Sequence, residues 1–105
     1  MKPDPFQYDL DDRRGVLTLH GELDEIATVE LRELLTKITG DFTTDLAIDL
    51  ADVSFMPSPA IGVLASSREK ARQHGASIIL VAPAGTLTAR LLTICALDHV
   101  ESVPD

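Results

Sequence analysis

The side chain best suited to chemistry in this sequence is a serine hydroxyl enclosed by two prolines, Pro57-Ser58-Pro59, just before an apolar run. A serine at a helix N-cap accepts a hydrogen bond from the amide of the second or third helical residue, here Ala60 or Ile61. Proline is favoured at the first helical position, and it biases the preceding residue towards extended backbone. The first interpretation of Ser58 is therefore a helix cap.

Phosphorylation is the second interpretation of Ser58. The N-terminus of a helix presents free amides and favours negative charge by about 0.3–1 kcal/mol at an exposed site. A phosphate would add about two negative charges where a partner protein could pack. Ser58 could therefore switch binding without unfolding the chain.

Nucleophilic catalysis is the third interpretation, and it requires an adjacent base held by a third group. His20, His74 and His99 belong to no identifiable catalytic motif, and Ser58 lacks the Gly-x-Ser-x-Gly pattern of hydrolases. The histidines and carboxylates also lack the ligand spacing of zinc or EF-hand sites. The sequence predicts no enzyme, no metal site and no cofactor.

The charge balance limits the partners. Seventeen acidic residues against nine basic ones give a net charge of −8, which opposes binding to nucleic acid and to anionic lipid. The cations of residues 68–74 fall in the last turns of a predicted helix, where they complement its dipole on a solvated face. The charge balance favours a protein partner with a basic patch and predicts that the chain binds no nucleic acid.

Length and composition indicate one domain over residues 1–105, with 45% apolar residues for its core. No apolar stretch is long enough for a signal peptide or a membrane span. We therefore expect a cytoplasmic, soluble protein without membrane insertion. Cys95, the only cysteine, is predicted to be a buried small hydrophobe.

Strands and helices alternate along the chain. Residues 16–20 alternate in polarity and are predicted to pair with residues 6–10 through a hairpin. Residues 46–50 predict another strand, and residues 77–81, apolar on both parities, predict a central strand covered on both faces. A short last strand is predicted to include Val100.

Three segments show helical patterns, namely residues 26–38, 61–74 and 86–94. The first is predicted to end at Gly40, and the following apolar residues are predicted to form its buried face: Ile26, Val29, Leu31, Leu34, Leu35 and Ile38. Strands separated by helices imply parallel neighbours joined by right-handed crossovers. The predicted fold class is α/β, a mixed, mainly parallel β-sheet layered with about three main helices.

Three blocks of sequence resemble the STAS domain family, the sulfate transporter and anti-sigma factor antagonist domains. The blocks are Gly21-Glu22-Leu23-Asp24, Leu46-Ala47-Ile48-Asp49-Leu50 with Val53-Ser54-Phe55, and Ile61-Gly62-Val63-Leu64. The resemblance covers nearly everything from about Tyr8 to Val103. It implies the STAS fold and, for single-domain bacterial members, an anti-sigma factor antagonist.

The resemblance places the family's Asp-Ser-Ser-Gly signature on Pro57-Ser58-Pro59-Ala60, where only the first serine is retained. In the family the second serine accepts phosphate from a kinase-type anti-sigma factor, and the unmodified protein binds that factor and frees a sigma factor. Pro59 has no hydroxyl, so phosphorylation at the usual position is impossible. Ser58 as a substitute acceptor stays open.

The resemblance also implies a partner-binding surface. Asp24 lies near the phosphorylation loop in the family and is predicted at the rim of this surface, with a cap or turn role equally open. Met56 is predicted to lie exposed as an apolar anchor. The predicted partner-binding residues are Asp24, Met56, Pro57, Ser58, Pro59, Ala60, Ile61 and Gly62.

The predicted function is a bacterial regulatory module of the stress response that binds a kinase-type anti-sigma factor to release a sigma factor. The alternative is a scaffold or accessory subunit of a stress-sensing complex or a lipid transporter. The sequence leaves open whether the chain forms a homodimer.

Overall fold

The computed structural model describes residues 6–104. Its strands are β1 (Gln7–Asp11), β2 (Val16–Glu22), β3 (Leu46–Phe55) and β4 (Ile78–Val81), and its helices are α1 (Glu25–Ile38), α2 (Ser58–Gln73) and α3 (Leu87–Ile94). The predicted order of strands and helices is confirmed up to α3. Among the described residues, no helix is both long enough and apolar enough to cross a membrane.

The four strands form one sheet in the order β1-β2-β3-β4. The hairpin of β1 and β2 is antiparallel, whereas β2 pairs with β3 and β3 with β4 in parallel. The two parallel pairs are joined through α1 and α2, because a crossover needs a connection of helical length. The predicted mixed, mainly parallel sheet with three helices is confirmed.

One face of the sheet carries the main core. Leu17, Leu19, Ile48 and Leu50 of the central strands share a buried cluster with residues of all three helices, including Leu64 of α2. A smaller cluster on the alternate positions of the strands contains Val16, Ala47 and Val81, with Val103 packed against it. The helices therefore form one layer on one face of the sheet.

The predicted buried face of α1 is wrong at two positions. Ile26 and Val29 are 64% and 50% exposed. The residues that α1 buries are Ala27, Thr28, Leu31 and Leu35. At about 100° per residue, Ile26 and Val29 fall on the opposite side of the helix from this set.

Three further predictions need correction. Strand β4 is at the edge of the four-stranded sheet rather than central, and it is apolar on both parities because each of its faces joins one of the two clusters. Val100 makes only an isolated parallel bridge to Val81, not a strand. Cys95 is exposed, because it follows the last residue of α3, where the chain turns away at Ala96 with φ of 58°.

Candidate functional site

The start of α2 differs from the predicted serine cap. The N-cap is Pro57, in extended backbone with φ of −72° and ψ of 168°, and no side chain caps the helix. The carbonyl of Pro57 accepts from the amides of Ala60 and Ile61 at 3.0 and 3.2 Å. Ser58 is already the first helical residue, so its predicted role as the cap is wrong.

The two prolines explain why the helix begins without a serine cap. Pro57 holds the backbone angle that an N-cap needs. Pro59 lies in the first turn, where its missing N–H has no intrahelical acceptor. Ser58 is exposed, and its hydroxyl makes no hydrogen bond within residues 6–104. The hydroxyl of Ser58 is therefore free for a partner or a modifying enzyme.

Met56 is not the exposed anchor that the sequence predicted. It is 3% exposed and lies in the main core cluster with Ala60 and Val63 of α2. The exposed apolar side chain is that of the preceding residue, Phe55, at 51%. Met56 is buried because it lies beneath the first turns of α2, so it can support this surface but not contact a partner.

Asp24 is the N-cap of α1. One carboxylate oxygen, Oδ1, accepts from the amide of Ala27 at 2.9 Å. The backbone carbonyl of Asp24 also accepts from the hydroxyl of Thr28 at 2.7 Å. The cap role that the sequence left open is thus present, and the half-buried carboxylate still reaches the surface.

The glycine of the Gly-Glu-Leu-Asp block has a backbone role. Gly21 has φ of 79°, a conformation that favours glycine. The pairing register of β2 with β3 shifts between Gly21 and Glu22. A first shift lies between Thr18 and His20, and this second one lies at the last residues of β2, just before the chain turns into α1.

The fold brings Asp24 and the residue 56–62 segment together at the carboxyl ends of the parallel strands. Because β2 and β3 are parallel neighbours, the helices that follow them, α1 and α2, both begin at this end of the sheet. The amide of Leu23 donates to the carbonyl of Phe55 at 2.8 Å, which joins the two connections directly. Of the remaining predicted residues, Ala60 is buried, Ile61 is half-buried and Gly62 is exposed.

The sequence did not predict a cluster of one histidine and two aspartates on the other face of the sheet. His20 Nε2 lies 2.7 Å from Asp9 Oδ2, and His20 Nδ1 lies 3.2 Å from Asp52 Oδ2. The alternation of β2 placed His20 on the polar side, but the carboxylates come from two neighbouring strands whose register the sequence does not state. Within residues 6–104 no three such side chains are arranged to hold a metal ion.

The cations of the last turns of α2 are partly paired. The guanidinium of Arg68 donates to the carbonyl of Asp98 at 3.0 Å, and that of Arg72 donates to Glu69 at 3.0 Å. The hydrogen bond from Arg72 lowers the pKa of the Glu69 carboxyl and raises that of Arg72. These pairs agree with the predicted solvated face.

The family assignment follows from the whole described chain. The model of the STAS domain family matches residues 6–104. The chain belongs to the STAS domain family. The resemblance that the three sequence blocks indicated is therefore confirmed, including the fold.

Similar proteins cover most of this STAS domain. The anti-sigma-F factor antagonist RsfB of Mycobacterium tuberculosis is 33% identical over 99 residues, which are 91% of this chain and 79% of that protein. The anti-sigma-B factor antagonist of Staphylococcus aureus is 30% identical over 83 residues, covering 79% and 76%. A crystal structure of an anti-sigma factor antagonist from Mycobacterium paratuberculosis superposes with a TM-score of 0.80 at 24% identity, covering 97% and 91%.

Proposed function

We propose that this STAS domain is an anti-sigma factor antagonist, which binds an anti-sigma factor and thereby releases a sigma factor. The observation that carries the proposal is the identity of 33% over 91% of the chain to a protein named as such an antagonist. The domain acts by binding alone and performs no chemistry of its own.

The docking surface of this proposal consists of Asp24, Ile26, Phe55, Ser58 and Pro59. These residues lie at or just after the carboxyl ends of β2 and β3, or in the first turns of α1 and α2. Ile26 and Phe55 are more than half exposed, and exposed apolar side chains beside polar ones are typical of a protein interface. Phe55 takes the anchor role that was expected of Met56.

Binding is constitutive in this proposal. Position 59 carries proline, which has no hydroxyl to accept a phosphate. Ser58 is exposed, but the prolines on either side restrict the backbone that a kinase would have to accommodate. Control then comes from the amount of the protein rather than from its phosphorylation.

A displacement assay tests the function. Each anti-sigma factor of the source organism is loaded with its fluorescently labelled sigma factor, and the fall in anisotropy is followed as this chain is added. We expect release from one of them, equally with and without ATP. Failure to release any sigma factor overturns the proposed function, and phosphate incorporation that Ser58→Ala abolishes overturns constitutive binding.

A matched pair of variants tests the docking surface. Phe55→Ala is expected to raise the concentration needed for release at least tenfold, because a large aromatic side chain at an interface commonly contributes more than about 1.4 kcal/mol. Ile94→Ala is the control. Ile94 is also an exposed apolar residue, at 72%, but it lies at the end of α3 and is not part of the docking surface. Equal loss of activity in both variants would contradict the assigned surface.

A further inference from the structure

A small cavity lies between α1 and α2, along α2 from Pro59 to Lys70. Its volume is about 200 Å³. The residues that matter for its chemistry are Arg32, Phe42, Pro59, Ser66, Ser67 and Lys70.

The lining of this cavity is cationic. Arg32 of α1 and Lys70 of α2 both contribute to it, and no aspartate or glutamate does. Neither side chain forms an ion pair within residues 6–104, in contrast to Arg68 and Arg72. Both cations are exposed, and with no acidic residue in the lining they make this cavity locally positive in a chain of net charge −8.

The cavity also presents a hydroxyl that has no hydrogen-bond partner within the protein. Ser67 is only 4% exposed, and its hydroxyl makes no hydrogen bond to the described residues. Many helical hydroxyls in this chain instead bond a carbonyl four residues earlier, as Thr93 does. No buried side-chain oxygen of the described residues lacks a hydrogen-bond partner, so the hydroxyl of Ser67 reaches solvent and is available to donate to an acceptor oxygen in the cavity.

The ammonium group of Lys70 lies near an aromatic ring. Its Nζ lies 5.4 Å from the centre of the Phe42 ring, a distance at which the ammonium is attracted to the face of an aromatic ring. Phe42 itself is buried, with 6% exposure. The aromatic contact therefore reduces the rotamer freedom that Lys70 would lose on binding.

We propose that the cavity lined by Arg32, Ser67 and Lys70 binds a phosphate group. A guanidinium matches two phosphate oxygens in a bidentate pair, while Lys70 supplies a second positive charge and Ser67 a hydroxyl donor. The group is inorganic phosphate or a phosphate monoester, which share this chemistry. The site includes Pro59 of the docking surface, but it does not require that the chain binds an anti-sigma factor.

An NMR titration of the ¹⁵N-labelled protein tests the site. Sodium phosphate and O-phosphoserine are added separately at constant ionic strength, with sodium chloride as the balancing salt, because screening alone changes surface electrostatics. We expect saturable shifts of the amides of Gly62, Ser66, Ser67 and Lys70 with inorganic phosphate. Equal shifts with phosphoserine would extend the ligand to monoesters, and shifts with phosphate alone would limit it to the free ion.

Charge-neutral variants locate the binding. Arg32→Gln and Lys70→Gln are each expected to raise the dissociation constant for inorganic phosphate at least tenfold. Arg90→Gln is the matched control, since Arg90 is an exposed cation of α3 that does not line the cavity. Shifts that do not saturate, or an unchanged dissociation constant in Lys70→Gln with a native spectrum, would overturn the proposal.

Discussion

Asp24 caps α1 and is proposed to contact the partner, and a pair of substitutions can distinguish the two roles. In Asp24→Ala the hydrogen bond from the Ala27 amide at 2.9 Å is lost, which costs about 1 kcal/mol for a typical N-cap. Loss of the negative charge beside the helix N-terminus adds about 0.3–1 kcal/mol. The carbonyl of Asp24 still accepts from Thr28. We therefore expect the free energy of unfolding to fall by about 1.5 kcal/mol in total, below the sum of the largest values.

Asp24→Asn is the control, because an asparagine side chain keeps the cap and removes only the charge. We expect it to lower the free energy of unfolding by about 0.5 kcal/mol, the contribution of the charge alone. Urea unfolding followed by circular dichroism measures both variants. With a urea slope of about 1.5 kcal/mol per M, the midpoint should fall by about 1 M for alanine and by about 0.3 M for asparagine.

The displacement assay supplies the second measurement on the same two proteins. If the carboxylate of Asp24 contacts a cation of the partner, Asp24→Asn should weaken sigma factor release as much as Asp24→Ala does, although it is the more stable variant. Equal unfolding midpoints for the two variants would refute the assigned cap. Full release by Asp24→Asn would refute the assigned contact.

Two further predictions concern α2. Ser58→Ala should change the free energy of unfolding by less than about 0.5 kcal/mol in the same urea experiment, because Ser58 is an exposed residue that supplies no cap; a loss near 1 kcal/mol, typical of a missing cap, would contradict the structure. The pKa of Glu69 is lowered by Arg72, so its contribution to stability is present above the ordinary carboxyl pKa and is lost as pH falls through the lowered value. An NMR titration should find Glu69 ionising below the ordinary value in the native protein and returning towards it in Arg72→Ala, and no change in that variant would contradict the pairing.

Much of the fold could be predicted because its signals are local. The alternation at residues 16–20 and the helical spacing at residues 61–74 each report on neighbouring positions, and both elements are present. Ile26 and Val29 were misassigned because their apolar character satisfies helical spacing on either side of α1. Only packing against the shared core decides which side is buried.

The structure changes several details of the predicted site, and its role in binding stays a prediction. Asp24 and the residue 56–62 segment lie close together because each follows one of two parallel neighbouring strands, β2 and β3. Ser58 was misread as the cap because the sequence does not show that the carbonyl of Pro57 accepts the hydrogen bonds from the first free amides of the helix. The Arg32 and Lys70 cavity could not be predicted, because it joins two helices whose contact is absent from any local pattern.

The order of strands in the sheet equals their order along the chain. Each new strand therefore adds to the edge formed by the strand before it, and none has to be inserted between two strands that have already paired. A nascent chain can form the β1 and β2 hairpin first and then add β3 and β4 as each helix is completed. Successive addition limits the time during which a partly built sheet exposes an unpaired interior strand, and so limits aggregation during synthesis.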